Sequence, residues 1–420
     1  MLMQPNVNLS YQEEIKASFQ KDRTAFLWKD ARKEAGWLFL ISRLILLVVT
    51  YLGPSKLAQK GTLILPHDCA FNLKHCLLSW DTWDVGVFVD VAYGGYAHRP
   101  PDKYNLSAYF PLWPLVMHIF GGSFSNPYTS LFFTGLVLAN LCFYFGLVLL
   151  YYLVHTHFGP TVAKDALFFL AIGPYALFFF IGYSESLFLL LSLAIFFFLH
   201  RGRTLDWWLA GLCGFLAALT RATGIVLAIP FLVVLIQRFW PYQTSLRTHW
   251  RPLLNAILPM TLIPLGLLLY MIYLYIIMGD PLAFSTWEAR TWGRYLTFPW
   301  TGIINDIQSL LLLKHNFSSN LMDLLFTLIP MITLLIGWKR LPLDYSLFAL
   351  TMILFSLSAP IQGLDYPLAG SPRFMLVIFP VFIIHALWGK HPRIRSIMMA
   401  LSLSFFTINA LLFITHGWVA

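Results

Sequence analysis

The chain has 420 residues, of which 58% are hydrophobic and 11% charged, with a formal net charge of +9. Soluble domains carry about 25% charged residues, so this composition excludes an ordinary soluble enzyme and points to a polytopic membrane protein. The excess of cations does not indicate nucleic acid, because the Lys and Arg fall between apolar segments, where the positive-inside rule places them.

Residues 1–36 are polar, with Lys16, Lys21, Arg23, Lys29, Arg32 and Lys33 and no cleavage-type apolar core. They read as a cytosolic tail rather than a signal peptide. Residues 37–420 read as one transmembrane domain. A span needs about 20 apolar residues. By that measure eleven helices are expected, near 37–53, 128–154, 164–181, 184–200, 205–220, 222–238, 251–278, 319–337, 343–360, 372–389 and 396–416. With the N-terminus inside, the cytosolic loops carry Lys164, Arg201, Arg203, Arg238, Arg247, Arg251, Lys339, Arg340, Lys390, Arg393 and Arg395. This alternation fixes the expected orientation, N-terminus in and C-terminus out. The protein is expected to be integral and multi-pass, in the plasma membrane if prokaryotic or the endoplasmic reticulum membrane if eukaryotic.

Four stretches then lie on the far side: 54–127, the turn 182–185, the loop 279–318 and the turn 361–372. They hold Asp68, Asp81, Asp84, Asp90, Asp102, Glu185, Asp280, Glu288, Asp306 and Asp365, ten of the fourteen acids outside the tail. Chemistry is therefore expected on the extracytoplasmic or lumenal face. Segment 106–122 is apolar but short and carries Pro111 and Pro114. It reads as a re-entrant or interfacial helix. Cys69 and Cys76 share the first loop, and either pair or remain free thiols. Cys142 and Cys213 sit in apolar spans and read as packing residues.

The run from Ser79 to Tyr96 is the best candidate for chemistry. Asp81 and Asp84 are three apart and would share one face of a helix. Their repulsion would raise one pKa toward that of a general base. Trp80, Trp83 and Tyr96 offer flat surfaces for a sugar ring or for the membrane interface. Solvated acids and an interfacial aromatic belt are the plain alternative. Arg373 heads a span on the far side, where the positive-inside rule does not call for it. It either grips a lipid phosphate through its guanidinium fork or snorkels to the headgroups. Arg221 is likewise on the far side. Glu185 is a membrane-edge acid or a helix cap. Asp280, Glu288, Arg290 and Arg294 interleave with Trp287, Trp292, Tyr295 and Trp300, a mix suited to a sugar, a headgroup or any amphipathic helix. No Cys/His spacing suggests zinc, and no Gly-rich nucleotide loop follows a strand.

Trp83-Asp84, Phe88, Val91-Ala92 and Gly95-Tyr96 resemble the first-loop motif of the GPI mannosyltransferase family that adds the second mannose (PIG-V type), with its prokaryotic relatives. Phe110-Pro111-Leu112-Trp113-Pro114, Tyr183-Ser184-Glu185-Ser186, Leu219-Thr220-Arg221-Ala222-Thr223-Gly224, Gly279-Asp280-Pro281 and Pro372-Arg373-Phe374 resemble its later blocks. The likeness runs from about residue 37 to 389. Val87, Val91 and Ala222 depart from the family's usual residues. The resemblance implies a GT-C-like helical bundle, with a polyprenyl-phosphate sugar donor and inversion at the anomeric carbon. A first-loop Asp would be the base, and downstream spacing favours Asp84 over Asp81. Arg373, with Arg221 or Arg294, would hold the departing phosphate. The acceptor would be a lipid or glycan hydroxyl, and no cofactor or metal is required. A transporter or flippase is the competing class. It needs polar groups at mid-membrane on broken helices in two related halves, and here the mid-span polar residues are few, namely Arg43, Asn140 and Asn255.

Overall fold

A computed structural model describes residues 7–57, 72–96, 106–124, 126–240 and 246–419. Asp68, Cys69, His98 and Asp102 lie outside the described residues. Among those described there are helices and no named strands; the single β-bridge joins Arg294 to Ile361. The first helix, α1 (Val7–Leu57), precedes two short ones, α2 (Leu73–Leu77) and α3 (Asp84–Gly94). Next come α4 (Leu112–Gly121), α5 (Pro127–Phe158), α6 (Pro160–Ala171), α7 (Glu185–Arg201), α8 (Thr204–Thr220) and α9 (Ala228–Phe239). After them follow α10 (Leu246–Met260), α11 (Leu262–Met278), α12 (Ala283–Trp292) and α13 (Thr301–Leu311). The chain finishes with α14 (Phe317–Gly337), α15 (Leu343–Leu357), α16 (Ser371–Met375), α17 (Phe379–Trp388) and α18 (Pro392–Ile414).

Every one of the eleven expected spans contains helix. Six segments are long and apolar enough to cross a bilayer: Ala25–Gly53, Pro127–Phe158, Ala222–Phe239, Trp250–Met278, Phe317–Arg340 and Pro392–Ile414. The protein is an all-α, multi-pass integral membrane protein. The first span starts earlier than expected, inside the polar N-terminal stretch. Ala31 and Ala35 are buried, and Trp28 stacks on Tyr152 at 4.7 Å. These positions recur at helical spacing, so the face that docks on α5 is already present before residue 37.

The expected span 164–181 is not one helix. Helix α6 stops at Ala171, because Pro174 has no N–H to donate and its ring crowds the preceding turn. Irregular, deeply buried backbone then leads to α7. Such backbone survives at membrane depth only if its carbonyls find donors within the protein. Here Arg43 donates to Phe179 O at 2.8 Å and Asn140 to Phe180 O at 2.9 Å, while Arg43 Nε donates to Asn140 Oδ1 at 2.6 Å. Asn409 supplies the Pro174 carbonyl at 2.9 Å. Two of the expected mid-span polar residues therefore repair a broken helix.

Small residues set the closest helix approach. A Cβ on Gly211 would lie 2.2 Å from Pro259 O, and one on Gly266 would lie 2.4 Å from Phe215 O, so α8 packs directly against α10 and α11. Helix α4 buries Trp113 and Met117 and leaves Ile119 and Phe120 exposed. It lies against α3 and α5 as a short one-sided helix, in keeping with the expected interfacial element.

The loops sort to two ends. One end carries the basic connections, tied by Lys164–Glu34 at 2.9 Å, Arg201–Asp206 at 3.4 Å and His200–Asp344 at 2.8 Å. The other gathers the start of α3, the turns before α7 and after α8, α12, α16 and the C-terminal segment around one cavity.

Candidate active site

Asp84 is the first residue of α3, and Trp83 is its N-cap with φ 55° and ψ −132°. That left-handed backbone favours glycine and costs of order 1–3 kcal/mol in other residues. It swings the chain from the preceding turn so that Asp84 faces the cavity. Trp83 lines the wall beside it and meets Trp418 edge to face at 5.1 Å.

The Asp84 carboxylate is held at both oxygens. Tyr109 donates to Oδ1 at 2.7 Å, and Arg373 Nη1 lies 2.6 Å from Oδ2. The Asp84 backbone N–H donates to Tyr183 Oη at 3.1 Å. Arg373 reaches on to Glu185, with Nε 3.3 Å from Oε1, and Arg221 Nη1 meets the same oxygen at 2.6 Å. The result is a line of alternating charge, Asp84–Arg373–Glu185–Arg221. Glu185 is 1% exposed. The guanidiniums of Arg221, Arg294 and Arg373 all lie within 5.6 Å of the Phe374 ring centre, which serves as their common platform. Arg294 donates to Ala359 O and Ala369 O at 3.1 and 2.6 Å and lies 3.5 Å from Glu288.

Around these groups the cavity has a volume of about 490 Å³. Its rim is apolar, with Phe284, Trp292, Leu296 and Phe355, and Leu296 is 87% exposed. A polar floor under a greasy rim suits an amphiphile whose head carries the chemistry. Burial, and next the Asp84 charge, push the Tyr109 phenol well above its ordinary range. Tyr109 thus stays a donor to Asp84.

The structure brings Asp84, Glu185, Arg221, Arg294, Arg373 and Trp83 to one cavity. Asp81 is not among its lining residues. It ends a 3₁₀ turn (Leu78–Trp80), and α3 begins only at Asp84, so the two acids do not share a helix face. Burial, then Asp90 rather than Asp84, raises the Asp81 carboxyl to about 6. Trp80 was expected at a sugar or at the membrane interface. It is fully buried, donates to Thr50 at 2.8 Å and stacks on Phe413. Tyr96 also stands behind the cavity, donating to Tyr109 O at 2.5 Å, and so supports Tyr109 rather than a ligand. Asp280 accepts from Leu282 N and Thr286 Oγ1 at 2.8 and 2.9 Å, fixing the turn into α12. Cys76 is disulfide-bonded, and Cys142 and Cys213 are free.

Tyr109, Tyr183, Phe374 and Trp418 are site residues that motif reading did not single out. The first three sit within or next to motif strings already noted, beside Phe110, Glu185 and Arg373. Trp418 has no local signal.

No curated protein matches the chain. Among solved structures it is similar to the oligosaccharyltransferase of Archaeoglobus fulgidus in the apo form. Identity is 12% and the TM-score 0.43, covering 92% of this chain and 56% of that one. The same values hold for AglB from Archaeoglobus fulgidus in complex with an inhibitory peptide and a dolichol-phosphate. For the complex with Zn and sulfate they are 14% and 0.45, covering 91% and 54%. The chain thus spans little more than half the length of these proteins. The family model described as mannosyltransferase (PIG-V) matches residues 32–355, a stretch that includes Asp84, Glu185, Arg221 and Arg294. With that match over most of its length, the chain belongs to the mannosyltransferase (PIG-V) family.

Proposed function

We propose that the protein moves mannose from a polyprenyl-phosphate donor to a hydroxyl of a lipid or glycan acceptor, on the extracytoplasmic face and with inversion. The observation that carries this reading is the 2.6 Å contact between Asp84 and Arg373 on the cavity floor. The acceptor hydroxyl attacks the sugar C1 as its proton passes to Asp84. The C1–O bond to phosphate breaks, and the phosphate leaves on the prenyl chain with one more negative charge. Once protonated, Asp84 no longer holds Arg373, whose guanidinium turns to the phosphate just as that charge appears. Proton transfer of this kind is worth about 10² to 10⁴ in rate, and electrostatic stabilisation of the leaving group a comparable amount. Glu185 is committed to two guanidiniums and is buried. It is a poor covalent nucleophile, which favours a single inverting displacement. The apolar rim takes the first prenyl units, and the sorting of cations to the opposite end supports the extracytoplasmic face. The membrane follows the cell type, plasma membrane in a prokaryote and endoplasmic reticulum in a eukaryote.

The test is transfer by purified protein from radiolabelled polyprenyl-phosphate mannose, glucose and pentose, read by lipid extraction. Wild type is expected to use the mannose donor. Asp84→Asn is expected to lose about 10² or more in rate while still binding donor. A fully active Asp84→Asn enzyme would remove Asp84 from the reaction, and equal use of the three donors would remove mannose specificity.

A further inference from the structure

A second polar centre lies between α13 and α14, outside the residues that line the cavity. The two helices form an antiparallel hairpin, and Asn320 Nδ2 donates across it to Ser309 Oγ at 2.8 Å. Three residues back from Ser309 is Asp306, and three on from Asn320 is Asp323. In antiparallel register these two acids face each other, and they lie within electrostatic reach of one another. Thr327 follows one turn beyond Asp323 on the same face of α14.

All of these side chains are buried: Asp306, Asn320 and Thr327 are 0% exposed and Asp323 is 3% exposed. Yet both oxygens of Asp306, Oδ2 of Asp323, Oδ1 of Asn320 and Oγ1 of Thr327 have no hydrogen-bond partner. The Asn320 carboxamide is held in the seam through its Nδ2, so its unpartnered oxygen lies there as well. Leaving such groups unpaired is costly. The cation within electrostatic reach of Asp323 is Arg294, whose two Nη atoms already donate to Ala359 O and Ala369 O. Tyr175 is also within electrostatic reach of Asp323. A proton shared between the carboxyls would satisfy two of the five oxygens and leave the rest.

We propose that this seam binds one hard divalent cation, of the Mg²⁺, Ca²⁺ or Mn²⁺ class, through Asp306, Asp323, Asn320 Oδ1 and Thr327 Oγ1. The donors are all oxygens, which these ions prefer over softer metals. Two carboxylates balance a divalent charge, and the amide and hydroxyl complete a neutral set. Among the described residues no three His, Cys, Asp or Glu side chains gather in a metal-holding group, so the amide and the hydroxyl are essential to the site. The ion pins α13 to α14 directly behind Arg294. It thereby braces one wall of the cavity without entering it. The proposal stands independently of the donor and acceptor assigned above.

The full-length protein in detergent is stripped with EDTA, desalted and titrated with Mn²⁺ under electron paramagnetic resonance, with Tm followed in Mg²⁺, Ca²⁺ and Mn²⁺. Wild type and Asp84→Asn are expected to bind one Mn²⁺ saturably and to gain Tm with the ion. Asp306→Asn and Asp323→Asn are expected to bind Mn²⁺ about tenfold more weakly or worse and to lose the Tm response. If these variants do not fold, Thr327→Val removes one ligand and keeps the shape, and its Mn²⁺ affinity is expected to fall. Wild type without saturable Mn²⁺ binding overturns the proposal, as does wild-type affinity in Thr327→Val or in the folded Asn variants. A Tm that rises on acidification but not with metal assigns the seam to a shared proton instead.

Discussion

The alternating line Asp84–Arg373–Glu185–Arg221 makes a quantitative demand on Glu185. Its carboxylate is 1% exposed and serves Arg221 at 2.6 Å and Arg373 at 3.3 Å. Replacing Glu185 with Gln keeps the volume and deletes the charge between two half-buried cations. Removing one partner of a buried ion pair costs about 3–5 kcal/mol. The Gln carbonyl still accepts one bond from Arg221, so the lower end, about 3 kcal/mol, is expected. For a chain of this length that is a fall of roughly 3–6 °C in Tm, extending the size scaling of smaller domains. Arg221→Gln alone is milder, because Glu185 keeps Arg373. The double variant Glu185→Gln/Arg221→Gln restores charge balance. Its loss is expected to fall short of the sum of the singles by about 2 kcal/mol, within the usual range for contacting residues. The assay is unfolding of the four proteins under one protocol, with tryptophan fluorescence as the readout. Strict additivity, or a Glu185→Gln protein as stable as wild type, would refute the idea that these charges form one coupled unit.

Other variants probe the rest of the site. Tyr109→Phe removes the 2.7 Å bond to Asp84. A hydrogen bond to a charged group is worth about 1.5–3 kcal/mol, so kcat/KM is expected to drop roughly tenfold to hundredfold with the fold intact by circular dichroism. Arg373→Lys keeps the charge but loses the fork that reaches both Asp84 and Glu185; activity is expected to fall at least as far as in Tyr109→Phe, and wild-type turnover would exclude a bidentate role. Ionising Asp81 is harder in the folded protein than in the unfolded chain, because burial and then Asp90 raise its carboxyl to about 6. Because its folded pKa lies above the unfolded value, it favours the fold below about pH 4, and that contribution is lost as pH rises through about 6. Asp81→Asn is therefore expected to raise Tm at pH 7.5, with the gain shrinking on acidification, and a pH-independent difference would contradict this.

Much of the site is legible in the sequence, because one rule exposes it. Acids and arginines in loops expected on the far side of a greasy chain have no topological reason to be there, and Asp84, Glu185, Arg221, Arg294 and Arg373 are found that way. Which of Asp81 and Asp84 lines the cavity is not legible from the three-residue separation between them, since a helix through both acids would put them on one face. The backbone of Trp83, a residue type that rarely adopts a positive φ, turns Asp84 to the cavity and leaves Asp81 outside it. Trp80 misleads for a related reason. Its neighbours in sequence are polar, but its neighbours in space are Thr50, Phe180 and Phe413, contributed by the ends of α1 and α18 and by the irregular segment before α7. Periodicity cannot report a partner that distant.

The broken helices favour an enzyme over a transporter more clearly than the count of buried polar residues does. A transporter unwinds helices at mid-membrane to leave carbonyls and helix ends free for a substrate. Here the interruption after α6 exposes carbonyls, but Arg43, Asn140 and Asn409 satisfy them from neighbouring helices. Polar groups that close off broken backbone leave nothing for a passing solute to replace. The same interruption carries the chain to Tyr183 and Glu185, and the break after α8 places Arg221 beside them in extended backbone, φ −156°. Continuous helices through both regions would hold Glu185 and Arg221 on separate rods. Breaking them near one end delivers both side chains to Arg373 and leaves the interior sealed. That arrangement fits chemistry on a substrate that stays at one membrane face, in line with the family to which the chain belongs.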